Sequence, residues 1–462
     1  MRRLLTFAFV ALLAGSACAA APPATPQPTA TPLSSTPPQA PATQPPASAG
    51  PSPPSSPSPS GLAGLLQEIR AERERAPLGA VDPASLASVA AADATLGFEL
   101  YRLLAGDGGN LFLSPYSIST ALSMTYAGAR AETELELARL LSVPDDIDWH
   151  AARNELELRL IAERRAPEGM TPLTLEPTNA VFGQQGFPFE VAYLDTLAAY
   201  YGGGMQLVDF IGQTEGSRAA VNEWVSQRTR ERIRELLPPG SVTPLTRFVL
   251  LNAIYFKANW LNEFDPSRTA ERAFHLLDGS VAQVPTMQGG LRTGYGSGDG
   301  WQAVSLPYAG QASMLVIVPD MGGFAGVEAR LDYELLDSVR ASLGDTIVNL
   351  ELPRWESSST IDLQPLLVEL GVTTLFVPGE ADLSGIAPPD DLHVTDALHQ
   401  ANITVDEEGT EAAAATAIVG GVTSAPPREV SLKVDRPFIY LIQDDLTGEI
   451  LFMGRVLDPS AG

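Results

Sequence analysis

The chain has 462 residues, with 55 Asp and Glu against 29 Lys and Arg, and a formal net charge of −26. Acidity of that degree favours solubility and repels nucleic acid, heparin-type polyanions and anionic membrane, so none of these is an expected partner. The one cysteine, Cys18, lies near the N-terminus, and the four histidines, His150, His275, His393 and His399, show no metal-ligand spacing; disulfides, a thiolate nucleophile, a metal centre and a cofactor are therefore not expected in the folded body.

Taken in chain order, residues 1–19 read as an export signal. Arg2 and Arg3 give a positive start, and the apolar run 4–13 is too short to span a bilayer. Two processing routes are open. Cleavage after Ala19 fits a small-x-small rule through Ala17 and Ala19 and gives a secreted protein. Alternatively, Cys18 resembles the acceptor cysteine of a bacterial lipoprotein, although Gly15 stands where that pattern usually has an aliphatic residue. Either way the protein is expected outside the cytoplasm, extracellular or lipid-anchored to the outer face of the cell envelope through Cys18. Residues 20–61 are almost wholly Ala, Pro, Ser, Thr and Gln, without charge. Such a segment cannot bury apolar surface and reads as a disordered linker, reaching at most about 130 Å in polyproline geometry. Residues 62–90 read as a helical extension, with Leu62, Leu65, Leu66 and Ile69 at helical spacing over 62–76 and Pro77 as the stop.

The main body is expected over residues 91–462. Helices are expected at 93–104 and 117–141. Strands are expected at 173–183, 248–257, 303–307, 313–318, 346–352, 394–405, 430–434, 438–444 and 450–457, with Gly448 turning the last pair. Helices early and strands late suggest an α+β fold rather than alternating βαβ units. The arginines between Arg228 and Arg234 alternate with Glu231 and read, at helical spacing, as a solvated face. Gly294-Tyr295-Gly296-Ser297-Gly298-Asp299 has a serine without the flanking glycines of a nucleophile elbow, and reads as a flexible turn. No carboxylate pair sits in a glycosidase context and no phosphate loop is present.

The stretch from Asp406 to Thr416 is the most informative. It is small and acidic, with no proline from Glu408 to Ala425. Composition alone allows an alanine-rich linker or a short helix. Yet alternate positions Thr410, Ala412, Ala414, Thr416 and Ile418 suit the buried face of a strand between two others, where a proline would be excluded. Elsewhere, Ser114 and Pro115 are good helix-entry residues. Asn252 lies inside an apolar strand and requires a hydrogen bond, and His399 beside a strand reads as a satisfied core histidine.

The string Glu407-Glu408-Gly409-Thr410-Glu411-Ala412-Ala413-Ala414-Ala415-Thr416 resembles the reactive-loop hinge of serpins, the serine protease inhibitors. Arg436-Pro437-Phe438, Asp445-Leu446-Thr447-Gly448 and Phe452-Met453-Gly454-Arg455-Val456 resemble the serpin C-terminus. Further matches are Asn110 through Leu122, Thr178 through Phe182, Ala219 through Val225, Leu250 through Trp260 and Ala381 through Ile386. The resemblance runs from about Ala91 to Pro459. It implies three β-sheets, eight or nine helices and an exposed reactive-centre loop. It implies a hinge at Glu408, Gly409, Thr410, Glu411, Ala412, Ala413, Ala414 and Ala415; a polar "shutter" at Ser114, Ser117, Asn252 and His399; and a "breach" at Trp260, Arg354 and Glu407, with an Arg354–Glu407 ion pair. It implies no enzyme activity. The expected partner is a serine protease, captured by a monomeric suicide substrate in a covalent complex. Family spacing forward from Gly409 and back from Pro426-Pro427 both place the reactive bond at Thr423–Ser424, with slippage to Val422–Thr423 in a Val-preferring enzyme. A small β-branched specificity residue suits an elastase-like or subtilisin-like pocket. Alternatives are a non-inhibitory surface or binding protein of the same fold, and an exported hydrolase with an unrecognised site.

Overall fold

The computed structural model describes residues 63–79, 81–162, 164, 166–168, 170–388, 392–410 and 429–461. After a single helical turn at Ala63–Leu65 come β1 (Gln67–Ile69), α1 (Pro83–Leu104), β2 (Leu111–Leu113), α2 (Pro115–Tyr126), α3 (Ala131–Leu140), α4 (Trp149–Leu160), β3 (Thr174–Gln184), α5 (Val191–Tyr200), β4 (Met205–Val208) and α6 (Thr214–Arg228). The strand-rich part follows: β5 (Phe248–Asn259), β6 (Ala270–His275), β7 (Val281–Gly298), β8 (Trp301–Pro307) and β9 (Ala312–Pro319). The short helices α7 (Phe324–Glu328) and α8 (Tyr333–Ser342) then lead to β10 (Gly344–Pro353), β11 (Trp355–Asp362), α9 (Leu363–Glu369), β12 (Ala397–Val405), β13 (Gly409–Thr410), β14 (Glu429–Lys433), β15 (Phe438–Asp444) and β16 (Ile450–Val456). The fold is α+β, as expected.

A seven-stranded mixed sheet runs β1-β4-β3-β5-β13-β12-β11. A second ladder runs β14-β10-β7-β8-β9-β15-β16-β2, with β6 also on β7. The two smaller sheets expected by resemblance are thus joined into one ladder by the long strand β7, which pairs with β6 and β10 over its earlier part and with β8 from Gly294 onward. Strand β5 is buried on both faces because both are covered. Phe248, Leu250, Ile254 and Phe256 enter the main core over α2, whereas Val249, Leu251 and Ala253 join Val221 and Val225 of α6 in a smaller outer cluster. This parity is the two-residue period of a strand, and it puts Asn252 on the inner face.

Several expectations are corrected. Of the helix expected over 62–76, the described residues 63–76 do not form an amphipathic helix: Gln67, Glu68 and Ile69 pair with Leu207, Gln206 and Met205 of β4. The open edge of β4 offers backbone groups that a helix would leave unpaired. Helix α1 begins ten residues before Asp93, because the Asp82 carboxylate accepts the N–H groups of Ala84 and Ser85 and Pro83 fills the first turn. The helix expected at 117–141 is two helices. Arg130 is extended and its N–H donates to Asp382 O at 2.8 Å, and Gly385 N–H donates to Gly128 O at 3.0 Å, so the break is pinned by main-chain bonds. The glycine-rich stretch at 294–298 is strand, paired residue by residue with β8, rather than a turn. The arginines after Arg228 leave the helix, since Arg230 and Glu231 have positive φ. Arg228 stacks over Trp224 at 3.9 Å, and Arg230 pairs with Glu176 at 2.5 Å.

Candidate functional site

The seven-stranded sheet carries a wedge at its centre. Strands β5 and β12 are parallel neighbours only from Ala397↔Leu250 to Gln400↔Ala253. At the other end Gly409 and Thr410 stand between them, Gly409 opposite Asn259, and Thr410 opposite both Ala258 and Val405. Between these points no ladder pairing links residues 254–257 to residues 401–404. Two polar clusters border the wedge, one where the strands meet and one where Gly409 enters.

At the meeting point, four residues predicted from sequence converge. Ser114 caps α2: its Oγ accepts Ser117 N–H at 3.2 Å and donates to Leu451 O at 2.6 Å. Ser114 N–H donates to His399 Nε2 at 3.1 Å, which makes Nε2 the acceptor. The ring proton therefore sits on Nδ1, 2.6 Å from Asn252 Oδ1. Asn252 Nδ2 donates to Ser117 O and, at 2.6 Å, to Asn179 Oδ1, which also accepts from Ser117 Oγ at 3.3 Å. Burial lowers the pKa of His399 to about 3, so the ring is neutral and serves as acceptor to α2 and donor to β5 at once. The cluster ties β3, β5 and β12 to the first turn of α2.

At the entrance, Trp260 is buried and stacks on Tyr308, with centroids 4.4 Å apart and an interplanar angle of 9°. Its indole N–H donates to Asp406 O at 2.9 Å, and its backbone N–H to Glu408 O at 2.8 Å. The Glu407 carboxylate is buried, and its Oε1 accepts from Arg354 Nε at 2.8 Å, from Arg354 Nη2 and from the Thr269 hydroxyl. Arg354 thus reaches Glu407 as expected, but both its nitrogens converge on one oxygen rather than forming two parallel bonds. Asp406 Oδ1 accepts the N–H groups of Glu408 and Gly409 at 2.9 and 3.2 Å and shapes the turn into β13. Burial raises the carboxyl pKa of Asp406, and burial together with the charges of Asp406 and Glu263 raises that of Glu408.

Gly409 has φ +151°, and a Cβ there would lie 2.1 Å from Ala258 O and 2.8 Å from Asn259 Cα. Close approach of the Ala258–Trp260 backbone, more than the permissive turn, is what requires glycine. Thr410 is buried on the inner face, 2.7 Å from the Tyr308 hydroxyl.

Glu411, Ala412, Ala413, Ala414, Ala415, Thr423 and Ser424 lie outside the described residues, as does Cys18. Sequence reasoning did not single out Asn179, Thr269 or Tyr308 for the site, and it named Asp406 only as the start of the stretch that leads into the hinge. Asn179 had the same signal as Asn252, an amide inside an apolar strand. Tyr308 after Pro307 had none, since an aromatic there looks like ordinary core. Among the described residues no group of three or more His, Cys, Asp or Glu is placed to hold a metal ion, and no helix is long and apolar enough to cross a membrane.

Comparison with known proteins gives a consistent result. A family profile described as Serpin (serine protease inhibitor) matches residues 91–459. An uncharacterized serpin-like protein of Thermococcus kodakarensis is 38% identical over 372 residues, covering 79% of this chain and 84% of its own length. Mouse antithrombin-III is 35% identical over 365 residues, covering 76% of this chain and 77% of its own. Among solved structures, thyroxine-binding globulin in complex with thyroxine superposes with a TM-score of 0.69 at 29% identity, covering 80% of this chain and 99% of its own. Uncleaved ovalbumin superposes with a TM-score of 0.71 at 25% identity, covering 80% and 100%.

Proposed function

Since the chain belongs to the serpin family of serine protease inhibitors, we propose that it is an inhibitory member that traps its target by inserting its cut loop into the wedge between β5 and β12. The observation that carries this reading is the pairing of Thr410 with Val405 on one side and Ala258 on the other, with Gly409 beside it on β5. The inserted strand is already begun, and the residues that would continue it include no proline and no large inward-facing side chain through Ala414.

In this reading the segment after Thr410 is offered to a serine protease. The protease hydroxyl attacks the Thr423 carbonyl, the bond to Ser424 breaks, and the new amine leaves on the C-terminal fragment. The acyl-enzyme stays on the Thr423 end. That end is now free to enter the sheet and carry the protease with it. About 12 inserted residues gain on the order of 1 kcal/mol net per ladder hydrogen bond, besides burial of the inward side chains. Trp260, Arg354 and Glu407 hold the entrance. Ser114, Ser117, Asn252 and His399, joined by Asn179, form the latch that must let the strands part. A small β-branched residue at Thr423 favours elastase-like or subtilisin-like targets over trypsin-like ones. The protein acts as a monomer outside the cytoplasm, tethered through Cys18 if that residue is lipidated and free if Ala19 is the cleavage point.

Incubation with an elastase-type serine protease, followed by mass spectrometry, tests this. The expected products are a covalent adduct stable in detergent and a C-terminal fragment beginning at Ser424 or Thr423. A fragment with any other start overturns the bond assignment, and hydrolysis without an adduct overturns the inhibitory reading.

A further inference from the structure

The extension expected to be a separate helix is bonded to the body at two places that belong to different parts of the molecule. Its first part lies on the sheet. Residues 67–69 pair with β4, and Leu65 rests over Gly216 of α6, where a Cβ would come within 3.3 Å of its methyl. Its second part lies on α4, with one further bond from Ala76 N–H to Ala199 O of α5 at 2.8 Å. Arg75 Nε donates to Asn154 Oδ1 at 2.8 Å, and Arg75 Nη2 pairs with Glu157 at 3.1 Å. Asn154 Nδ2 donates back to Ala76 O at 2.9 Å, and Gly79 N–H donates to Glu155 Oε2 at 2.7 Å. Helix α4 is itself fixed to α1 by the fully buried Arg153–Asp93 pair.

The body is shaped to receive the segment. The run Gly202-Gly203-Gly204 precedes β4, and a Cβ on Gly204 would lie 2.3 Å from Ile69 O, while one on Gly202 would lie 2.5 Å from Arg75 Nη1. Asn154 and Glu155 are buried polar groups on α4 that receive partners from the segment.

On the reading proposed above, accepting a new strand between β5 and β12 moves the block β5-β3-β4-β1, with α6, by about 4.8 Å away from β12. The first half of the segment travels with that block, and the second half is held on α4. We infer that residues 63–79 are a strap across this sliding boundary, with Arg75 as its positioning residue, and that the strap holds the sheet closed until the loop is cut. Opening must break either the three-residue β1 ladder or the hold on α4, in which Arg75 bonds Asn154 and Glu157, Asn154 bonds Ala76 and Gly79 bonds Glu155, so the strap stabilises the closed sheet selectively. Its removal should speed insertion of the uncut loop.

The test compares the full chain with Arg75→Ala and with Gly204→Val, which unseats the strap without touching its own residues. Each is held below its melting temperature. The fraction converted to an uncleaved, monomeric, higher-melting form is followed by thermal denaturation and intact mass. The inference predicts conversion at least about tenfold faster in both variants, the effect of losing one charge-assisted contact present only before opening. Unchanged conversion, or variants that merely melt lower or aggregate without a higher-melting product, would show a structural segment and no brake. Wild-type protein cut once in its loop serves as the reference. If it melts higher while the variants show no acceleration, the strap alone is wrong; if it does not, the insertion reading fails and the strap with it.

Discussion

Thr410→Arg turns the protein from a trap into a substrate. Thr410 is buried, faces inward, and sits 2.7 Å from the Tyr308 hydroxyl beside the Trp260–Tyr308 stack. Among the described residues no carboxylate is bonded to that position, so an arginine there is a buried, unpaired charge that costs roughly several kcal/mol. The cost falls on the first residue to enter the sheet. Insertion then slows below deacylation, and the protease cuts the loop and departs. The expected result is complete cleavage at the same bond with loss of nearly all covalent adduct. Adduct yield equal to wild type would mean that Thr410 does not lead an inserting strand.

His399→Ala and Asn252→Ala both loosen the sheet. Removing the imidazole orphans Ser114 N–H and Asn252 Oδ1, each fully buried, at about 1–3 kcal/mol per unsatisfied group. A melting temperature lower by several degrees and polymerisation on warming are expected, because a latch that ties β12 and β5 to α2 is gone. The same residue sets a pH dependence. The pKa of His399 is lowered in the fold to about 3 from an ordinary 6.5, and that of His150 to about 4, in both cases chiefly by burial. A base with a lowered folded pKa is neutral in the native state and takes up a proton on unfolding, so its contribution is complete above about pH 6.5 and is lost as pH falls toward 3. The slope is up to about 1.4 kcal/mol per pH unit for each histidine. His399→Ala should be less stable at neutral pH and should show a shallower fall between pH 6.5 and 4. Unchanged melting in both variants would show that the four residues are not a latch.

The sequence was most legible where chemistry at one position forces a partner. An amide inside an apolar strand must be bonded, and Asn252 is; a capping serine before Pro115 starts a helix, and Ser114 does. The nine strands read from β-branched and aromatic content all lie within a few residues of their observed ends. What was missed depended on tertiary neighbours. Residues 67–69 carry no strong strand pattern, and only the open edge of β4 makes them a strand. Residues 294–298 at the end of β7 are rich in glycine and read as a turn, yet pairing with β8 fixes them. The break between α2 and α3 comes from main-chain bonds to residues 382–386, which no local signal announces. In the site, Arg354 and Glu407 were named as a pair from family pattern, but the Thr269 hydroxyl on the same oxygen follows only from where the chain passes after Trp260.

The central claim is that a cut loop enters the sheet, and the melting temperature of the protein before and after a single cut within residues 411–428 tests it most directly. Among the described residues no ladder links 254–257 to 401–404 in the wedge between β5 and β12, and an entering strand supplies one. The account predicts that the cut protein melts well above the intact one. A cut protein that melts at the same temperature or lower would contradict it.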